Sequence, residues 1–202
     1  GGELAGMTHR ESSHPSDAFL YEGRRTNEIS FPLGGIGTGS IGLAGNGRLV
    51  DWEIFNRPNK NSYNGFSFFA VKAEKAGEVV MAKIVNGDLH PPYTGQGSEK
   101  FKGFGFGVPR EAMAGFPHFR RTSFRGEFPI AEMRFEDEGD PLAVTMRAYK
   151  RFIPLNDRDS SLAAAIFLFD IENRSEEALE VSLVGNLTNP ATEGSVNRFT
   201  DN

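Results

Sequence analysis

The chain has 202 residues, 38% hydrophobic and 24% charged, a balance that excludes a disordered chain and leaves room for one large domain with a sizeable core. Its net charge of −5 argues against a nucleic-acid surface, and the absence of cysteine removes disulfides, thiolate metal sites and cysteine nucleophiles together. No apolar run approaches the ~18 residues of a membrane span, and no signal peptide precedes the first polar residues, so a cytoplasmic location is expected.

Residues 1–27 read as a flexible N-terminal tail, with regular structure starting near Ile29. Ile36 to Leu43 and Arg48 to Phe55 read as two short strands. Asn46-Gly47 lies between them, a dipeptide that favours hairpin turns because both residues tolerate positive φ. Phe66 to Glu74 and Glu78 to Val85 form the next pair, joined by Lys75-Ala76-Gly77. Residues 87–117 are rich in Gly, Pro and Phe and read as a long loop with a helical turn at Arg110–Ala114.

Strands resume with Glu127 to Phe135 and with the alternating Leu142, Val144, Met146 and Ala148. Pro154 to Asp159 is a polar loop. Ser161 to Ile171 is apolar on both faces and is expected at the centre of a sheet, followed by the alternating strand Leu179 to Leu183. The expected fold is all-β: a two-sheet antiparallel β-sandwich over residues 28–202, with long Gly/Phe-rich loops and little helix.

Gly37-Thr38-Gly39-Ser40-Ile41-Gly42 matches G-x-G-x-x-G, the spacing that brings a helix N-terminus against a pyrophosphate. The context opposes that use: Phe31-Pro32-Leu33 interrupts any preceding strand, and Gly45-Asn46-Gly47 leaves no helix after it. Asp51 and Glu53 lie two apart on a strand and share a face, a spacing that could suit paired carboxylates. Solvated acids or ion-pair partners of Arg48 and Arg57 are the preferred reading.

Asp157-Arg158-Asp159 lacks the glycine and bidentate glutamate of a calcium loop, and His9, His14, His90 and His118 lack ligand spacing, so no metal or cofactor is expected. Asn173-Arg174-Ser175 and Asn186-Leu187-Thr188 match the glycosylation sequon, read as chance. Phe104, Phe106, Phe116 and Phe119 are assigned to docking or plugging rather than to sugar stacking, because Phe has no polar handle.

Three segments carry a family resemblance: FPLGGIGTGSIGLAGNGRLVDWEIFNRPNK at 31–60, GFPHFRRTSFRGEFPIAEMRF at 115–135 and AYKRFIPLNDRDSSLAAAIFLFDIEN at 148–173. Together, and in this order, they resemble glycoside hydrolase family 116, the β-glucosidases and non-lysosomal (bile acid) glucosylceramidases. Lys150-Arg151 departs from the small residue or proline usual in the third segment.

The resemblance implies an N-terminal sandwich that leans on a C-terminal (α/α)6 barrel of the same protein, expected beyond Asn202. In that family the barrel holds a glutamate nucleophile and an aspartate acid/base, so the resemblance carries no catalytic residue onto this chain. It implies β-glucosides or glucosylceramide-like lipids as substrates, reached through that barrel. Trp52, Asn56, Arg57, Phe116, His118 and Arg120 are the candidate interface or substrate-rim residues, chosen as large or polar groups near turns. A free-standing carbohydrate-binding sandwich is the alternative.

Overall fold

The computed structural model describes residues 19–91, 113 and 115–190. Eleven antiparallel strands are described: β1 (Leu20–Glu22), β2 (Ser30–Gly34), β3 (Ser40–Ala44), β4 (Leu49–Glu53), β5 (Phe68–Lys75), β6 (Glu78–Ile84), β7 (Arg121–Glu127), β8 (Ile130–Glu136), β9 (Leu142–Tyr149), β10 (Ile166–Asn173) and β11 (Glu180–Asn186). They form a five-stranded sheet in the order β1-β7-β8-β9-β10 and two three-stranded sheets, β11-β5-β6 and β2-β3-β4. One buried cluster joins all three, with Leu33, Leu43 and Trp52 from one small sheet, Val71, Ala73 and Met81 from the other, and Phe124, Met133, Phe135, Val144 and Met146 from the large sheet. The result is the expected all-β sandwich.

The alternation of β8 and β9 sorts their side chains between two environments. Ala131, Met133 and Phe135 point inward and are buried, as are Val144, Met146 and Ala148 opposite them. The outward positions carry a charge ladder: Arg147 bonds Glu132 at 2.8 Å and Asp170 at 2.6 Å, and Arg134 bonds Glu136 at 3.1 Å and Glu172 at 3.0 Å.

Two expected turns are present. Asn46-Gly47 closes the β3–β4 hairpin; Gly47 has φ 91°, and a Cβ there would meet the Val85 carbonyl oxygen at 2.8 Å. Ala76 and Gly77, at φ 51° and 83°, close β5–β6.

Four expectations need correction. Regular structure begins at Leu20 rather than Ile29, because β1 pairs with β7 through Tyr21 opposite Phe124. Phe31-Pro32-Leu33 does form a strand: β2 is an edge, where a proline lacking its N–H is tolerated. Glu127 to Phe135 is not one strand but the Phe128-Pro129 turn of a hairpin followed by β8, and β7 precedes it. Ser161 to Ile171 is not central among the described strands: the strand starts at Ile166 and stands last in the order of the large sheet. The expected helical turn at Arg110–Ala114 and Phe104 and Phe106 lie outside the described residues.

Candidate functional site

The G-x-G-x-x-G segment is a turn followed by β3, with Gly37 and Gly39 at φ 71° and 98° and no helix behind them. Nucleotide binding of the kind that motif serves therefore has no helix N-terminus to use. A Cβ on Gly39 would approach the Glu53 carbonyl oxygen and the Ile54 Cα at 3.1 Å, so this glycine lets the turn lie against the end of β4. Its neighbours tie it to the polar loop before β10: Ile36 N–H donates to the Ser160 carbonyl at 2.9 Å, and the Thr38 hydroxyl donates to the Ser161 carbonyl at 2.8 Å.

Asp51 and Glu53 have a structural task. Asp51 takes φ 50°, and the β3–β4 register shifts between Ser40 and Gly42. Its buried carboxylate accepts from the Ser30 hydroxyl at 2.6 Å and from Asn61 N–H at 2.7 Å. Lys60 Nζ lies 3.8 Å from Asp51 and 3.1 Å from Glu53, and Glu53 also accepts from Asn59 N–H at 3.2 Å. The two acids share the Lys60 cation. Arg48 is instead buried, and desolvation pushes its guanidinium down to about 10.

This network folds the β4–β5 connection back onto β4. Asp51 N–H donates to the Ser62 carbonyl at 3.0 Å, and Trp52 N–H to the Ser62 hydroxyl at 2.8 Å. The tip of the loop is left outside: Phe55, Tyr63 and Phe66 are all more than half exposed. Asn56, at φ 52°, and Arg57 line a shallow groove of about 410 Å³ with Gly37, Gly39, Ser40 and Glu53. Reasoning from the sequence missed Phe55, Tyr63 and Phe66 as exposed groups; the signal was three aromatics spaced through an Asn/Gly/Pro-rich connection between two strands.

The six sequence candidates do not form one constellation. Trp52 is only 9% exposed, in the core, with its indole N–H donating to the Leu49 carbonyl at 3.2 Å. It lines an apolar cleft with Leu33, Ile41, Ile54 and Ala163–Ala165. Phe116 packs beside Phe66 and Phe68, with ring centres 6.1 and 5.6 Å away. His118 bridges the Phe116 carbonyl at 2.8 Å and the Asp88 carboxylate at 2.5 Å. Arg120 donates its backbone N–H to Asp137 at 2.8 Å, while its side chain borders a polar depression with His90, Arg121 and Arg134. Phe119, between them, is fully buried against Phe135 at 5.9 Å and plugs the sandwich's own core.

Asp157–Ser160 forms one helical turn, α1, capped by the Asn156 side chain, which accepts from Asp159 N–H at 3.0 Å. Among the described residues no three His, Asp or Glu side chains converge as metal ligands, and no helix is long and apolar enough to cross a membrane.

The model of the beta-glucosidase 2, glycosyl-hydrolase family 116 N-terminal region matches residues 30–202. The match spans every strand after β1, including the Gly37–Gly39 turn and the Asp51-anchored loop. The chain therefore belongs to glycoside hydrolase family 116, as the N-terminal domain of such an enzyme.

Proposed function

We propose that this sandwich buttresses the catalytic barrel of a retaining β-glucosidase of the glucosylceramidase type, and that the exposed loop carrying Phe55, Asn56 and Arg57 borders the approach to its sugar pocket. The family match over residues 30–202 carries the reading. The assignment of acid, base and nucleophile to a separate barrel agrees with the acids described in this chain: Asp51 and Glu53 both serve Lys60 and the loop. A retaining site needs two carboxyls about 5 Å apart with room for a glycosidic bond between them. The substrate proposed is a β-glucoside or glucosylceramide-like lipid bound by the barrel, in a cytoplasmic enzyme, with no cofactor required of this domain.

Arg57 has no ion-pair partner among the described residues, and Phe55 is 56% exposed beside it, a combination suited to an amphipathic aglycone or to a neighbouring domain. In the full-length protein, hydrolysis of an aryl β-glucoside and of a glucosylated lipid is measured for Arg57→Ala and Phe55→Ala. A rise in KM of about three- to thirtyfold for the lipid, with kcat little changed, is expected from lost substrate contacts. Unchanged KM and kcat for both substrates would remove the loop from the pocket rim. A free-standing carbohydrate-binding module draws only on the exposed aromatics of this loop, and two of the three, Phe55 and Phe66, lack a polar handle.

A further inference from the structure

The Gly37–Gly39 turn stands between two concavities of different character. On one side is the shallow groove of Glu53, Asn56, Arg57 and Pro58. On the other is the apolar cleft beside Trp52, with a volume of about 320 Å³. Gly39 and Ser40 line both. Gly39 has no side chain, so at that residue only backbone divides the groove from the cleft.

The cleft is built before any ligand arrives. Leu33 and Ile41 come from β2 and β3, Trp52 and Ile54 from β4 and the residue after it, and Ala163–Ala165 from the approach to β10. The first and last of these segments are pinned together by the hydrogen bonds from Ile36 N–H to the Ser160 carbonyl and from the Thr38 hydroxyl to the Ser161 carbonyl. Gly35 lies in the same contact, where a Cβ would collide with the Ser161 carbonyl oxygen. Ser160 is itself buried, and its hydroxyl accepts from Ile153 N–H at 2.9 Å and donates to the Ile153 carbonyl at 3.0 Å. The wall that carries the alanines is therefore fixed from behind, and a ligand would not have to order it.

The polar groups of the cleft are used elsewhere or stand at its border. The Trp52 indole N–H is taken by the Leu49 carbonyl, so the ring offers carbon surface. The Thr38 hydroxyl proton is taken by Ser161. Ser40 stands where the cleft meets the groove. An apolar lining, polar groups gathered at one end and a volume within the usual range of roughly 300–1,000 Å³ are the marks of a small-ligand site. Across Gly39, the Asn56 amide and the Arg57 guanidinium offer donors, and the amide an acceptor, to a polar group.

We propose that the cleft binds the aliphatic chain of an amphiphile whose polar part lies in the groove against Asn56 and Arg57. The chain passes over Gly39, where no side chain blocks it. A hydrocarbon suits a lining that asks for no hydrogen bond, and each methylene it buries strengthens binding about threefold to fourfold. That this amphiphile is an alkyl glucoside hydrolysed by the enzyme rests on the reading of this loop as the border of a glucosidase pocket.

The test uses the full-length protein and two measurements. One is calorimetric binding of octyl and methyl β-thioglucoside below the micelle concentration, because the sulfur linkage resists hydrolysis. The other is kcat/KM for octyl and methyl β-glucoside. Both are made on the parent, on Ala164→Phe and on Ala163→Phe, whose rings fill the cleft from adjacent positions. Ala163 is exposed, so its ring does not burden the core. The parent is expected to prefer the octyl compound by at least about tenfold, and the octyl-to-methyl ratio should fall towards unity in either variant. The ratio is taken within each variant, so a loss of folded protein cancels. A ratio near unity in the parent, or one that both variants leave unchanged, overturns the cleft as the chain site. Hydrolysis without chain preference removes the cleft and keeps the enzyme assignment. A binding preference abolished in the variants, without hydrolysis in the parent, keeps the cleft and removes that assignment.

Discussion

The β8–β9 hairpin and the β10–β11 pair are built from similar residues and meet different fates. In β8 and β9 every inward side chain from Ala131 to Phe135 and from Leu142 to Ala148 is buried. In β10 and β11 the inward Phe167, Phe169 and Ile171 are half-buried, and Val181 and Leu183 are more open still. The hairpin has strands on both flanks and a second sheet above it; among the described residues β10 and β11 each have a strand on one side only. An apolar alternation thus states which face a strand turns inward, and position in the sheet decides how much of that face leaves water.

The largest expected effect contrasts the two regions directly. Phe135→Ala should cost about 3–5 kcal/mol of unfolding free energy in the full-length protein, read from denaturant midpoints, because a fully enclosed ring leaves a cavity. Leu183→Ala should cost only about 1 kcal/mol, because that side chain is 44% exposed. A loss for Leu183→Ala as large as that for Phe135→Ala would show that the two regions are equally covered.

A second, smaller effect concerns the loop that guards β4. Asp51→Ala leaves the Ser30 hydroxyl and Asn61 N–H without their acceptor, a loss of roughly 1–3 kcal/mol. Protease cleavage between residues 54 and 62 should quicken in the variant while β8 and β9 stay protected. Cleavage at the parental rate would show that the loop is held by other contacts.

The smallest effect is a pH dependence at the β8–β9 turn. Burial disfavours the Asp137 carboxylate, but the Lys83 ammonium at 2.6 Å and the backbone N–H groups of Arg120 and Arg121 outweigh it and hold its pKa below the usual value. Burial likewise disfavours the Lys83 cation, yet its hydrogen bonds to Asp137 and Asp140 raise its pKa above the usual 10.5. Asp137 therefore adds stability above its unfolded pKa, a contribution lost as pH falls through the depressed folded value. Lys83 adds stability below 10.5, lost as pH rises through its raised value. Lys83→Met should move the acid-unfolding midpoint to higher pH and leave no difference from the parent once Asp137 is protonated in both. An unchanged midpoint would show that the backbone donors alone set the Asp137 pKa.

Much of this architecture was legible from the residues. Asn46-Gly47 and Ala76-Gly77 announce hairpins because their backbone freedom is local, and the alternation from Leu142 to Ala148 announces a half-buried strand for the same reason. The segments quoted for the family are legible as well, and the match over residues 30–202 agrees with them. The candidate rim was only partly legible. Asn56 and Arg57 line one groove, whereas Trp52 lies in the core cluster with Leu33 and Leu43, a placement its sequence neighbours do not reveal. The ion-pair reading preferred for Asp51 and Glu53 agrees with the structure in kind, and the positive φ of Asp51 and the Lys60 contact, which only the tertiary structure shows, tie the pair to the loop.

The sequence by itself determined the all-β class, the tight turns and the family, because each depends on local backbone preference, side-chain period or a string of residues read in order. Only the tertiary structure decided that, among the described strands, Pro32 sits on an edge and Ser161 to Ile171 yields an edge strand rather than a central one, and that Val181 and Leu183 of β11 stay 38% and 44% exposed. Those outcomes depend on which strands find each other across long stretches of chain, and the residues of a single strand carry no record of their neighbours.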